Sequence, residues 1–249
     1  MTAGTSAPPR SIEFERCFNF RDLGGYAGRD GRHVRWRRLF RSMTPQYMTT
    51  ADVAKARDLG IALVFDIRGR QATSGPIGEP PGKRVAYKPR RSVLWTPEAL
   101  QKYRQQPPEV QLPQVLDRLG RNFAKGVAAI ADEDAPALFH CRLGKDRSGV
   151  LAAVLLKLLG VSDEDVIADY LLSGDAATTA KPLVTEDGDD PTQSEARVVR
   201  EPAQRQLMEL VLARLESEYG GAYAYLRRHG VPKYKLDRLI ARTLEPSAL

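Results

Sequence analysis

The sequence predicts an α/β fold, and three observations lead there. IALVFDI at 61–67 and APALFH at 135–140 are short apolar runs that read as buried strands. Between Val115 and Ile130 the apolar residues Leu116, Leu119, Phe123, Val127 and Ile130 recur at spacings of three and four, which reads as a helix lying on a core. The two kinds of segment alternate along 249 residues, enough chain to bury a full core as one domain.

The elements follow in order. HVRWRRLFR at 33–41 is rich in β-formers and reads as one extended segment. Thr50 reads as the N-cap of a helix through Ala51–Leu59 that Gly60 ends. The strand 61–67 follows, then a second strand at VAYK, 85–88. Trp95-Thr96-Pro97-Glu98 opens a helix, with Thr as cap and Pro in the first turn. After the helix at 115–130 and the strand at 135–140 comes SGVLAAVLLKLLG, 148–160, a strongly apolar helix closed by Gly160. Ser162, with Asp165 three residues on, caps the next helix in a variant of the capping box. Residues 174–202 turn to Asp, Glu, Thr, Gly and Pro, a polar insertion that reads either as a lid or as a surface excursion. From Ala203 the pattern is helical again, broken at Gly220-Gly221 and at Gly230-Val231-Pro232. Residues 1–11 read as a flexible tail and 12–249 as a single domain.

Composition narrows the function. A hydrophobic fraction of 42% and 28% charged residues exclude wholesale disorder. Two distant cysteines, Cys17 and Cys141, do not suggest a disulfide framework and favour a reducing, cytoplasmic setting. No run approaches a membrane span, and MTAGTSAPPRS lacks the apolar core of a secretory signal; export by a route needing no signal peptide stays open. The net charge of +7 fits an anionic partner: nucleic acid, an anionic surface or a phosphorylated substrate. His33, His140, His229 and the two cysteines show no metal-ligand spacing, so neither a metal nor a cofactor is expected.

The chemistry concentrates in ALFHCRLGKDRSG, 137–149: strand, loop, helix start. Amide N–H groups at a helix N-terminus have no intrahelical partner, and the dipole favours negative charge. The loop Cys141, Arg142, Leu143, Gly144, Lys145 can wrap a phosphate with successive N–H groups, with Gly144 permitting the turn. Five residues separate Cys141 from Arg147, whose planar fork suits two phosphate oxygens. Positive surroundings favour a cysteine thiolate. A thiolate in a phosphate cradle is placed for in-line attack on phosphorus, giving a phosphocysteine.

HCRLGKDRSG resembles the signature loop of the cysteine-based protein tyrosine phosphatase superfamily, and its Gly-Lys-Asp-Arg core is similar to the bacterial atypical branch of tyrosine, dual-specificity and phosphoinositide phosphatases. NFRDLGGY at 19–26, LFRS at 39–42, VFDIRG at 64–69 and ADYLLS at 168–173 resemble the same branch, in order. The resemblance implies a small, mainly parallel sheet flanked by helices. It makes Cys141 the nucleophile, Arg147 the phosphate-binding arginine, and Ser148 the hydroxyl that stabilises the leaving thiolate. It makes His140 the residue that braces the loop, although a satisfied buried histidine is the plain alternative. Asp146 matches the aspartate proposed as the acid in that branch; bracing backbone amides is its alternative role. Asp66 and Asp22 are reserve acids, and Trp95-Thr96-Pro97-Glu98 superficially resembles an acid-bearing loop. Asn19, Arg21 and Asp22 read as a loop lining or supporting the pocket, or as a turn with an ion pair. Asp66 and Arg68, at a strand end, read as ligand-facing groups or a bracing pair.

Two departures stand out. Arg142-Leu143 follows the cysteine where small residues are common, and Arg70-Gln71-Ala72-Thr73 lacks the branch's glutamate after its Asp-x-Arg. Arg142 and Lys145 match basic residues of phosphoinositide phosphatases, where each could meet a further phosphate; general support of the thiolate is the alternative. The expected substrates are therefore a phosphorylated protein or a phosphoinositide, with inorganic phosphate as product. A catalytically dead phosphate-binding module is the rival reading. Specific nucleic-acid binding is not expected, since the run Arg29, Arg32, Arg35, Arg37, Arg38 and Arg41 has no accompanying motif.

Overall fold

The structure of the protein is a computed structural model that describes residues 9–68, 83–86, 105–174 and 203–246. Residues 1–8 of the expected tail, the segment 70–73, the helix start at 95–98 and residues 175–202 of the polar insertion lie outside the described residues.

The expected mainly parallel sheet is present. Its strands are β1 (Arg21–Asp22), β3 (Leu39–Ser42), β4 (Leu63–Asp66), β5 (Lys83–Ala86) and β6 (Ala137–His140), in the order β1-β3-β6-β4-β5, with only β1 antiparallel to its neighbour. A small second sheet pairs β2 (Arg32–Val34) with β7 (Leu244–Pro246). The helices are α1 (Thr50–Asp58), α2 (Pro108–Gln111), α3 (Gln114–Asp132), α4 (Asp146–Leu158), α5 (Asp163–Leu171), α6 (Arg205–Tyr219), α7 (Gly221–Arg228) and α8 (Lys233–Thr243).

Period-two alternation sorts the central strands onto two cores. Leu39, Leu63, Phe65, Ala137 and Phe139 enter the larger cluster, which also takes the apolar faces of α3 to α8. Phe40, Val64 and Leu138 enter the smaller one, closed by Phe14, Cys17 and Phe20 and by Ala56 of α1. Helix α4 follows β6 directly and is buried on nearly every side, which explains its continuous apolar sequence. Ser42, His140 and Asp66 stand level across β3, β6 and β4, so three strand ends present one carboxyl edge.

Four expectations need adjustment. The segment 33–41 is two strands in two sheets, because Arg37 takes φ +57° and turns the chain between them. Helix α1 is capped by Thr49, one residue early: Thr49 Oγ1 accepts from Asp52 N at 3.1 Å and Asp52 Oδ2 accepts from Thr49 N at 3.2 Å. Helix α4 starts at Asp146, so Asp146 and Arg147 belong to its first turn. At Ser162 the cap forms, but its hydroxyl, not its backbone N–H, donates to Asp165 Oδ2 at 2.9 Å.

The basic run is not a stripe. Arg38 is buried and donates to the carbonyls of Glu133, Asp134 and Ala135. Arg29 donates to Leu158 O, Arg32 pairs with Asp30, and Arg35 pairs with Glu245. Two of these guanidiniums are thus tied to backbone carbonyls, and two stand in surface ion pairs.

Arg41, the last of the run, is fully buried in the larger core. Its Nη1 lies 2.5 Å from Asp169 Oδ2, and Arg21 Nε lies 2.9 Å from Asp169 Oδ1. Arg21 Nη2 also donates to Asp169 O at 2.8 Å and to Ser173 Oγ at 3.0 Å. One carboxylate thus ties β1, β3 and α5 together. Burial pushes the Asp169 carboxyl up, but the charges and hydrogen bonds of Arg21 and Arg41 outweigh it and hold it at about 2. Burial pulls Arg41 down to about 10, with Arg21's charge adding to the effect and Asp169 opposing it.

Close packing of α3 on the sheet gives a stability prediction. A Cβ added at Gly126 would lie 2.2 Å from Phe65 Cε1, within a ring that is 1% exposed. Gly126→Ala gains about 1 kcal/mol in helix propensity but overpacks a buried ring, at a cost of typically 1–3 kcal/mol or somewhat more. The expected result is a net loss of about 1 kcal/mol, read as a melting point lower by roughly 2–4 °C. An unchanged or higher melting point would show that the ring gives way freely.

Candidate active site

The loop Cys141–Lys145 leaves β6 at the carboxyl edge of the sheet and runs straight into α4. Its geometry is set by what its carbonyls bind. Cys141 O accepts from His140 Nδ1 at 3.1 Å, and Arg142 O from Thr44 N at 2.9 Å. Leu143 O accepts from Asn19 Nδ2 at 3.0 Å. Gly144 O and Lys145 O both accept from Arg41 Nη2, at 2.7 and 3.1 Å. Five successive carbonyls are held by donors from outside the loop or at its root.

A planar trans peptide points each C=O opposite the next residue's N–H. No described peptide bond is cis. Pinning the carbonyls of residues 141–145 to the surrounding elements therefore turns the N–H groups of residues 142–146 the other way, into one concavity at the N-terminus of α4. Gly144 is required twice over: its φ is +70°, and a Cβ there would lie 2.3 Å from Ser42 O.

Cys141 sits at the start of the concavity, 3% exposed. Arg147 stands half-buried in the first turn of α4. Ser148 is fully buried and its hydroxyl has no hydrogen-bond partner among the described residues. Asp146 has a side chain 22% exposed, with Lys145 Nζ 3.8 Å and the Tyr170 hydroxyl 3.5 Å from its Oδ1. Burial, joined by the charge of Asp146, keeps the Tyr170 hydroxyl protonated and hence a donor.

The remaining sequence candidates fall into supporting positions. His140 must carry its proton on Nδ1, since its partner there is a carbonyl; the same nitrogen lies 3.9 Å from Asp66 Oδ1. Asp66 accepts from Arg68 N at 2.9 Å, Nε at 3.0 Å and Nη2 at 2.9 Å. Burial raises the Asp66 carboxyl, but His140 and Arg68 more than offset it, so the carboxylate is held below its ordinary value. Asn19 both donates to the loop and accepts from Arg21 Nη1. Arg21 reaches Asp169, not the loop. Asp22 brackets a turn, accepting from Gly24 N at 2.8 Å and Arg37 N at 2.6 Å. Both its oxygens are engaged with backbone N–H groups, and burial outweighs them to raise its carboxyl above the ordinary value. The adjacent Gly24-Gly25 lies under Trp36, whose Cα would be 2.5 Å from a Cβ on Gly24.

Arg142 is half-buried, whereas Lys145 is 1% exposed beside Asp146. The two cations paired by sequence thus occupy different environments, Arg142 partly exposed and Lys145 enclosed. Leu143 packs into the smaller core. Sequence reasoning missed Arg41, Thr44, Asp169 and Tyr170 as parts of this site. The signal for Arg41 was an arginine inside LFRS, an otherwise strand-like run; for Asp169 and Tyr170 it was the resemblance at ADYLLS. Among the described residues no helix is long and apolar enough to cross a membrane.

Comparison with known proteins follows the same stretch of chain. A family model described as the tyrosine phosphatase family matches residues 12–245. A protein of Cupriavidus necator named as a tyrosine-protein phosphatase is 34% identical over 171 residues, 65% of this chain and 62% of that protein. A tyrosine-protein phosphatase of Nostoc commune is 33% identical over 122 residues, 45% of this chain and 40% of its own. The triple specificity protein phosphatase PtpB of Mycobacterium tuberculosis is 26% identical over 211 residues, 70% of this chain and 73% of its own. The chain spans less than two thirds of the length of the first two of these relatives. With one family matched from residue 12 to residue 245, the signature loop included, the chain belongs to the tyrosine phosphatase family.

Proposed function

We propose that the protein hydrolyses phosphotyrosine monoesters through a phosphocysteine on Cys141. The observation that carries this reading is the set of outward-bound carbonyls, which turns five consecutive amides toward one concavity beside a cysteine and a helix N-terminus. Such a cradle meets the equatorial oxygens of a phosphoryl group, and Arg147 adds a bidentate contact. The Cys141 thiolate attacks phosphorus, the P–O bond to the tyrosyl oxygen breaks, and Asp146 gives that oxygen its proton. Water then attacks the phosphocysteine, Asp146 takes its proton, and the S–P bond breaks to free inorganic phosphate. The buried Ser148 hydroxyl, without a hydrogen-bond partner among the described residues, donates to the departing thiolate. His140, Asn19, Thr44 and Arg41 hold the loop throughout. No step calls on a cofactor.

Arg142 favours a second substrate class. It stands half-buried one residue after the nucleophile, where a cation meets a phosphate beyond the one removed. The relative from M. tuberculosis is named a triple specificity phosphatase, which supports testing lipid and Ser/Thr substrates alongside phosphotyrosine. Lys145, buried beside Asp146, serves that carboxyl and the cradle.

Cys141→Ser should abolish phosphate release from a phosphotyrosine peptide while retaining phosphate binding, and a chelator should leave the wild type unchanged. Turnover that survives the substitution, or that chelation stops, would refute the mechanism. Asp146→Asn should slow phenyl phosphate hydrolysis by about 10²–10⁴-fold but a nitrophenyl phosphate far less, because only the poorer leaving group needs the proton. Equal losses would assign Asp146 a bracing role. Arg142→Ala should reduce kcat/KM on a multiply phosphorylated inositol lipid by roughly tenfold more than on the peptide, while Lys145→Ala should lower both alike. A uniform loss in Arg142→Ala would remove the lipid reading.

A further inference from the structure

We infer that Asp169 is a positioning residue for the phosphate cradle, acting through Arg41 from α5 without itself touching the loop. This rests on the phosphatase reading above. The chain of contacts is short. Arg41 uses one terminal nitrogen, Nη1, on Asp169 Oδ2 at 2.5 Å and the other, Nη2, on the carbonyls of Gly144 and Lys145. Arg41 and Asp169 are each at most 1% exposed, so water cannot replace either contact. The Gly144 carbonyl sets the peptide plane that aims the Lys145 N–H inward, and the Lys145 carbonyl is shared between Arg41 and Gly149 N of α4, at 2.7 Å from the latter.

Arg21 fixes the other side of the carboxylate with Nε at 2.9 Å, and Tyr26 OH lies 3.5 Å from the same Oδ1. Asp169 is therefore held against two arginines, and Arg41 cannot turn without giving up its bond to the carboxylate. Without the negative charge, Arg21 and Arg41 would face each other in the core as two cations with no shared counter-ion. Arg41 would shift, and the Gly144 peptide would lose the donor that keeps its oxygen outside, while Lys145 O would keep the Gly149 N–H at 2.7 Å. A rotated peptide presents a carbonyl lone pair to the phosphate where it had presented an N–H. The intact cluster of two cations and one anion also leaves a net positive charge directly behind the loop, which favours a bound dianion.

The test uses the full chain and inorganic phosphate as the probe. Asp169→Asn and Arg41→Lys are compared with wild type and with Gly126→Ala, which weakens the fold away from the loop. Phosphate affinity is read from protection of Cys141 against alkylation, alongside kcat, KM and melting curves. Arg41→Lys keeps a cation near Asp169, but a single ammonium cannot bridge the carboxylate and two carbonyls as the fork does. In both site variants the phosphate dissociation constant should rise about tenfold or more and kcat/KM should fall about 100-fold at a temperature where melting shows them folded. Gly126→Ala should match wild type in both. If Asp169→Asn does not fold, Arg41→Lys decides. Folded site variants with wild-type phosphate affinity would overturn the inference, as would an equal loss in Gly126→Ala. A wild type that binds phosphate but shows no turnover dependent on Cys141 would refute the phosphatase reading instead, and the dissociation constants would still decide this one.

Discussion

The buried pairing of Asp169 with Arg21 and Arg41 is the constraint on which the rest of the site depends. Taking three charges out of water is expensive, and a set of well-packed apolar residues would give the fold as much stability. The gain lies in geometry. An apolar contact tolerates sliding, whereas a carboxylate shared by two guanidiniums fixes angles and distances. β1, β3 and α5 are locked in one relative position, and β3 lies beside β6, the strand that launches the signature loop. Removing one partner would leave an unpaired charge in the core at a cost of about 3–5 kcal/mol, so the arrangement resists partial loosening.

The phosphate cradle is accordingly a tertiary structure, although its sequence looks like a local motif. Gly144 supplies the backbone freedom, but the direction of each peptide plane comes from elsewhere: Thr44 and Arg41 from β3 and the turn after it, Asn19 from the N-terminal segment, 124 positions from its partner Leu143. A free peptide of residues 141–147 would sample both orientations of each plane. In the folded chain the surrounding elements set these planes, and on the proposed phosphatase reading that preorganisation is what a developing charge meets.

What the sequence revealed and concealed follows from the same division. Periodicity located β4, β6, α3 and the C-terminal helices, because apolar spacing reports burial directly. The strand–cysteine–arginine–helix order pointed to the loop because that chemistry is carried by neighbours in the chain. Helix starts were displaced at Thr49 and Asp146, since caps are set by one hydrogen bond and a threonine pair offers two candidates. The break at Arg37 was hidden because every residue of HVRWRRLFR tolerates an extended conformation; it takes the Asp22 carboxylate and Trp36 stacked on Gly24-Gly25 to turn it. Arg41 and Asp169 were visible only as parts of separate motifs. Nothing in one motif names the other, and they stand 128 positions apart in the chain before the fold brings them to 2.5 Å.

The same accounting bears on which carboxylate moves the proton. Asp22 has both oxygens on backbone N–H groups, Asp66 is enclosed by the backbone and side chain of Arg68, and Asp169 is shared by two arginines. Each is buried to 3% exposure or less, and protonating any of them would break the contact that justifies its burial. Asp52 is committed to the α1 cap and to the amides of Glu15 and Arg16. Asp146 differs from these four in kind. It lies in the first turn of the helix that follows the loop, and its side chain is 22% exposed where the other four carboxylates are nearly closed to solvent. A carboxyl that gives and takes a proton in one cycle needs access to the reacting atoms and to water. Among the five, that exposure supports the role proposed for Asp146.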